Sequence, residues 1–224
     1  TLRGFVAQPN KAAPDEELIE LIKKLSADES NHIAIISGRD KQTLGDWFEG
    51  LDVTLVAEHG AWIRERGWDW YTLKQVKDDW KETVLPILEL YTDRTPGSSI
   101  EEKDFSLVWH FRRSNLEMAG IRKRELRDSI INLTENLDIG VFEGNKILEI
   151  KNLGINKGNA AEHLMSMEDY DFVLSAGDDY TDEDMFHIMP EESYSVKIGM
   201  GLSEARYCVE NVDKFRNLLN TLTL

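Results

Sequence analysis

A chain of 224 residues with 42 acidic against 26 basic side chains carries a net charge of −16 and is long enough for one large domain or two small ones. That charge argues against nucleic acid or an anionic membrane as a partner, and it requires any phosphate site to be locally positive. A single cysteine, Cys208, rules out an internal disulfide and fits a reducing, cytoplasmic setting; no apolar run approaches the ~20 residues of a membrane span, and no signal peptide is visible.

Pro14 opens a helix in which Leu18, Leu21, Ile22 and Leu25 recur at helical spacing. His32-Ile33-Ala34-Ile35-Ile36 is an apolar run of the buried-strand type. It breaks at Ser37-Gly38-Arg39-Asp40 and enters a helix containing Leu44, Trp47 and Phe48. Val53-Thr54-Leu55-Val56 is another strand, ending at Ala57-Glu58-His59-Gly60. Strand, turn and helix alternating in this way predict a doubly wound parallel sheet. The middle of the chain reads differently. A long helix around 77–91 meets the breaker Thr95-Pro96-Gly97-Ser98-Ser99. Then come an apolar strand at 105–111, a charged helix near 116–133 and two short strands within 139–150. Neighbouring strands with one intervening helix suggest a small α+β insert, and Lys157 begins the return to alternation. The expected organisation is a core over 1–76 and 154–224, interrupted by a cap over 77–153.

The chemistry concentrates where strands end. The run Asp171-Phe172-Val173-Leu174-Ser175-Ala176-Gly177 reads as a buried strand, and Asp178-Asp179-Tyr180-Thr181-Asp182-Glu183-Asp184 follows at once. In an open parallel sheet ligands bind beyond the carboxyl ends of the strands, and hard carboxylate oxygens there suit Mg²⁺. Helix capping accounts for Thr181, Asp182 and Asp184; Asp178 and Asp179 lie ahead of the helix and are left over. Ser37 with Gly38 supplies a hydroxyl and backbone N–H groups at another strand end, suited to phosphate oxygens. Lys157, in Asn156-Lys157-Gly158-Asn159, stands at a helix start where the dipole disfavours a cation, which hints at an anionic partner. Trp62, Trp68 and Trp70 could stack on sugars, although large aromatics more often fill a core or a domain junction. His59 has no nucleophile to pair with, and Cys208 reads as a small apolar residue.

Taken in order, these three strand-end sites resemble motifs II, III and IV of the haloacid dehalogenase phosphatases. Ile35-Ile36-Ser37-Gly38-Arg39, Ala57-Glu58-His59-Gly60, the 177–186 segment and Glu101-Glu102-Lys103-Asp104-Phe105-Ser106-Leu107-Val108-Trp109-His110-Phe111-Arg112 are together similar to the trehalose-6-phosphate phosphatase family. The resemblance implies a haloacid-dehalogenase-like Rossmannoid core with a smaller α+β cap, and hydrolysis of trehalose 6-phosphate with Mg²⁺ through an aspartyl-phosphate. It also implies that the nucleophile and general-acid aspartates of the first motif lie just upstream of Thr1, on a central strand whose absence leaves neighbouring strands facing a gap. On this reading Ser37 and Lys157 hold the phosphoryl oxygens together with Gly38 and Arg39. Asp178 ligates the metal, and Asp182 or Asp179 assists it. The family's cap pattern carries over to Glu101, Lys103, Arg112 and Glu149 as sugar readers, with Asn145 or its neighbour Lys146 beside them. The implied partners are the sugar phosphate and a fused or associated trehalose-6-phosphate synthase domain. The alternatives are another sugar-phosphate phosphatase, such as a sucrose-phosphatase, or a non-catalytic regulatory domain of a synthase.

Overall fold

In the computed structural model, which describes residues 1–2, 13–73 and 78–223, the chain divides into two units, Thr1–Leu73 with Asn156–Leu224, and Lys74–Ile155. The expected boundary at 76 and the expected helix start at Lys77 both lie outside the described residues.

The first unit is built from α1 (Glu16–Ser26), β1 (Ala34–Ile36), α2 (Lys41–Trp47), β2 (Thr54–Ala57) and β3 (Trp62–Arg64), then α5 (Lys157–Met165), β8 (Leu174–Gly177), α6 (Glu183–His187), β9 (Tyr194–Ile198), β10 (Tyr207–Val209) and α7 (Val212–Thr221). Asp15 caps α1 by accepting the Leu18 N–H at 2.9 Å, the usual way of satisfying a helix's first amide groups. Leu18 and Ile22 of α1 and Leu44 of α2 pack on Leu55 and Ala57 of β2. On the other face Val56 and Ile63 meet Ala160 and Leu164 of α5. The strand is thus buried on both sides, which is why Thr54-Leu55-Val56-Ala57 is apolar without alternation.

The parallel core falls into two three-stranded sheets, β1-β2-β3 and β10-β9-β8, as the expected gap between neighbouring strands implies, and no ladder joins β1 to β8 among the described residues. β3 runs antiparallel to β2, while β8, β9 and β10 are parallel. β2, in the middle of its sheet, is fully buried, whereas β1 and β8, at the seam between the two sheets, and the outer strands β3 and β10 are only partly so. Leu2 packs against both hydrophobic clusters flanking the seam, and Ile36 and α5 do the same on the other side. Arg216 of α7 holds the Leu2 carbonyl through Nε at 2.8 Å and Asp15 through both terminal nitrogens at 3.0 Å. A bidentate pair of this kind fixes orientation as well as distance.

The second unit is a four-stranded antiparallel sheet of order β4 (Ser99–Glu102), β5 (Ser106–His110), β7 (Ile147–Asn152) and β6 (Ile139–Gly144), with α3 (Trp80–Asp93) and α4 (Leu116–Leu133). Trp80, Val84 and Leu88 of α3 and Ala119, Leu126 and Ile130 of α4 repeat at helical spacing and close over Leu107, Trp109, Leu148 and Ile150. Each such buried side chain contributes roughly 1.5–3 kcal/mol. Strand alternation then sends Glu101, Val108, Glu149 and Phe142, which share one register row, to the opposite face.

Candidate active site

The polar end of the first unit begins where β1 stops. The Ser37 N–H extends the ladder to the Val56 carbonyl at 2.9 Å, and the Ser37 hydroxyl accepts the Arg39 N–H at 3.2 Å. The strand-end loop after β2 backs this turn: the His59 N–H donates to the Ser37 carbonyl at 2.9 Å and the Glu58 N–H to that of Arg39 at 2.8 Å. Glu58 and His59 hold φ of 48° and 60°, and Gly60 follows at 117°. A left-handed conformation in non-glycine residues costs roughly 1–3 kcal/mol each and persists where the surroundings enforce it. At Gly60 a β-carbon would stand 2.6 Å from the Asn156 carbonyl, so only glycine lets this loop touch the start of α5. Gly38 lies directly against the His59 ring. His59, unassigned from sequence, therefore shapes the Ser37 turn.

Asn156 caps α5, its side chain accepting the Asn159 N–H at 2.8 Å, which leaves Lys157 as the first helical residue. The Lys157 ammonium is buried and donates to Asp182 Oδ1 at 2.6 Å. The other Asp182 oxygen accepts the backbone N–H groups of Asp178 and Asp179, both at 2.8 Å. Both Asp182 oxygens are thus engaged, one orienting the lysine and one tying down the end of β8. A β-carbon at Gly177 would overlap Asp182, so the glycine is what permits this closure. The capping box falls on Asp179 and Asp182, not on Thr181 and Asp184, because the chain makes a 3-10 turn at Tyr180–Asp182 before α6 begins. The Asp179 side chain accepts the Tyr180 N–H at 2.7 Å.

Asp178 stands apart from these internal ties. Its side chain is half exposed (48%), and its Oδ1 accepts the Thr1 hydroxyl at 2.6 Å. A half-exposed carboxylate that offers hard oxygens at a strand end suits Mg²⁺. Among the described residues no three His, Cys, Asp or Glu side chains converge as a ligand set, so the groups that would complete such a site are not within this cluster.

Two residues that sequence reasoning passed over support the same loop. Lys197 of β9, buried in the sheet, donates to the Asp178 carbonyl at 3.1 Å and to Glu183 at 3.2 Å. Glu183 also accepts from the Ser203 hydroxyl at 3.0 Å and the Glu204 N–H at 2.8 Å. Burial would raise the Glu183 pKa, and these donors together lower it. A lysine inside an otherwise apolar strand was the legible signal.

In the second unit, Glu101 of β4 and Glu149 of β7 lie in one cross-strand row on the face away from the helices. His110 pairs with Glu101 at 2.7 Å, and Glu149 and Lys151 are buried on the same face. The Lys103 N–H donates to the Ser106 carbonyl at 3.0 Å, while its own carbonyl accepts from Lys81. Asn145 and Lys146 form the two-residue turn between β6 and β7, Lys146 at φ 66°. Arg112 donates to the Asn145 carbonyl at 3.0 Å, which brings it to this corner of the sheet.

The chain is 35% identical over 222 residues to a bifunctional trehalose-6-phosphate synthase/phosphatase of Thermoproteus tenax, covering 99% of this chain and 30% of that protein. It is 37% identical over 226 residues to a trehalose-phosphatase of Schizosaccharomyces pombe, covering 93% of this chain and 28% of that protein. The chain thus spans less than a third of the length of these relatives. The C-terminal domain of a C. albicans trehalose-6-phosphate phosphatase superposes with a TM-score of 0.89 at 29% identity, covering all of this chain and 88% of that one. The family model described as trehalose-phosphatase matches residues 1–217, and the chain belongs to that family and has its haloacid-dehalogenase-like fold.

Proposed function

We propose that this chain is the phosphatase part of an enzyme that hydrolyses trehalose 6-phosphate to trehalose and phosphate. The observation that carries the reading is the buried Lys157–Asp182 pair at the strand end that also presents Asp178. It fixes an ammonium group, a donor suited to a phosphoryl oxygen, at a strand end of an otherwise acidic chain. Lys157 and the Ser37 turn, with Gly38 and Arg39, take the phosphoryl oxygens, and Lys157 offsets the charge that builds in the transition state. A carboxylate of the first motif attacks phosphorus in line, and a second protonates the departing sugar oxygen. Water, deprotonated by that second carboxylate, then cleaves the acyl phosphate. The proposal assigns both carboxylates to the family's first motif, Asp-x-Asp-Gly-Thr-Leu, whose last two residues Thr1-Leu2 match. Asp178 would hold Mg²⁺, with Asp179 its nearest neighbour in sequence; a bound ion there lowers the repulsion between an anionic nucleophile and the phosphoryl group. Asp182 serves by fixing Lys157 and the Asp178–Asp179 backbone.

The residues between 74 and 155 act in this reading as the sugar-recognising cap. Glu101, Lys103, Arg112, Asn145 and Glu149 offer the mix of carboxylate, cation and amide that a polyhydroxylated ligand can satisfy with charge-assisted hydrogen bonds. The synthase named in the T. tenax relative supports a fused synthase domain as partner. The lone cysteine supports a cytoplasmic setting, and among the described residues no helix is long and apolar enough to cross a membrane. The test is phosphate release from a panel of sugar phosphates by a chain that includes the first motif ahead of Thr1, with and without Mg²⁺. Magnesium-dependent release with trehalose 6-phosphate preferred is expected. Preference for a monosaccharide phosphate or for sucrose phosphate overturns the substrate assignment. No turnover from a chain carrying both aspartates favours a binding-only, regulatory domain.

A further inference from the structure

The tryptophans left over from the chemistry mark a second place. Trp62 and Trp70 pack against the cluster under α2 yet stay partly exposed. Each is covered by a cation, Lys41 over Trp62 at 3.5 Å and Arg64 over Trp70 at 5.2 Å. Between α2, Arg64 and Trp70, with Trp62 outside its wall, lies a half-open pocket of about 180 Å³, smaller than the ~300–1,000 Å³ of drug-sized sites and on the scale of one sugar ring. Its wall carries Lys41 and Arg64 against Asp46 and Glu49, with the Gln42 amide beside them. The Gln42 side chain donates to Asp46 at 2.7 Å. Charges of both signs in equal number favour a neutral ligand rich in hydroxyls over an anion.

Gly45 adds an independent argument. It lies inside α2, where glycine is unfavourable relative to alanine. Nothing in the packing demands it: a β-carbon there would meet Arg64 Nη1 at 3.6 Å and Trp70 at 3.8 Å, ordinary contact distances. What a side chain at 45 would do is fill the cavity. We propose that this cavity is a carbohydrate subsite for a neutral pyranose, its hydroxyls held by Asp46, Glu49 and Gln42 and its ring edge set against Trp70. Sugar C–H groups pack on an indole as other apolar groups do, while charged planar side chains take the hydroxyls. Arg64 over the Trp70 ring orders that indole before the sugar arrives, which reduces the ordering cost of binding.

Indole N–H signals in a ¹⁵N-labelled chain test this with D-glucose and inorganic phosphate as the probes. Glucose should move the Trp70 signal saturably and leave that of Trp68, 71% exposed and off the cavity, in place. Gly45→Leu should abolish the shift. Asp46→Ala, which disturbs the fold less, should weaken affinity roughly tenfold or more, the value of a charged hydrogen bond. Ser37→Ala should bind glucose as the parent does, so the result stands whatever becomes of the phosphatase reading. A shift that never saturates, equal shifts in the parent and in folded Gly45→Leu, or a response to phosphate and not to glucose overturns the proposal.

Discussion

The strand ends of the first unit and the open sheet face of the second both gather charge, but they hold it differently. Lys157 and Asp182 are almost wholly buried and locked at 2.6 Å, and Lys197 is buried beneath the Asp178 carbonyl. On the sheet face, His110 and Glu101 meet at 2.7 Å with 37% and 49% of their side chains exposed. Buried pairs lose their desolvation twice over when one partner goes; exposed pairs are worth ~0–1 kcal/mol and rearrange at little cost. The first region is built to hold one geometry. The second keeps its Glu101–His110 pair exposed, where partners exchange at little cost, beside the buried Glu149 and Lys151.

The largest effect expected is on stability. Asp182→Ala strands the buried Lys157 charge and frees two backbone N–H groups, and should cost about 3–5 kcal/mol in urea unfolding. A loss below about 1 kcal/mol would place the pair with ordinary surface pairs and erase the contrast. Next comes turnover: Asp178→Asn, in a chain with the first motif, should lower the rate by ~10²–10³ while the melting curve stays close to that of the parent, since Asp178 is half exposed. A near-normal rate at saturating Mg²⁺ would move the metal role to Asp179.

A smaller effect sharpens the comparison from elsewhere in the first unit. His32 bridges Tyr170 at 2.6 Å and Thr54 at 2.9 Å. Burial, followed by the charge of Arg66, lowers its pKa, and Glu168 and Glu65 oppose them without prevailing. Neutral His32 is therefore favoured in the folded state, and the unfolded chain takes up the proton first. Its contribution to stability is complete above 6.5, the ordinary value, and is lost as pH falls below that. Urea midpoints at pH 7.5 and 5.5 should differ less in His32→Gln than in the parent; an unchanged difference removes His32 from the account.

Much of this was legible because some elements are long and periodic. The charged helix expected near 116–133 is α4. The missed elements were short or polar: β3 and β10 span three residues each, and β4 is Ser-Ile-Glu-Glu at a sheet edge, exposed along most of its length. The residue types at the strand ends were readable, but their couplings were not. Which carboxylate caps the turn, that Asp182 uses both oxygens internally, and that Lys197 reaches the Asp178 carbonyl all depend on contacts set by tertiary packing. The strained Glu58–His59 loop was not legible, because Glu58 is an unusual choice for positive φ and the enrichment of histidine there is too weak to mark one residue.

One measurement tests the division of labour most directly: the ratio of kcat/KM for trehalose 6-phosphate to that for p-nitrophenyl phosphate, in Lys157→Ala and Glu101→Ala of a chain carrying the first motif. Lys157→Ala should depress both substrates and leave the ratio near the parent value. Glu101→Ala should lower the sugar substrate about ten- to a hundredfold, the worth of a charged hydrogen bond of roughly 1.5–3 kcal/mol, and leave p-nitrophenyl phosphate almost untouched. Equal losses on both substrates in Glu101→Ala would contradict the account, since the sheet face would then support the fold or the chemistry and not the reading of the sugar.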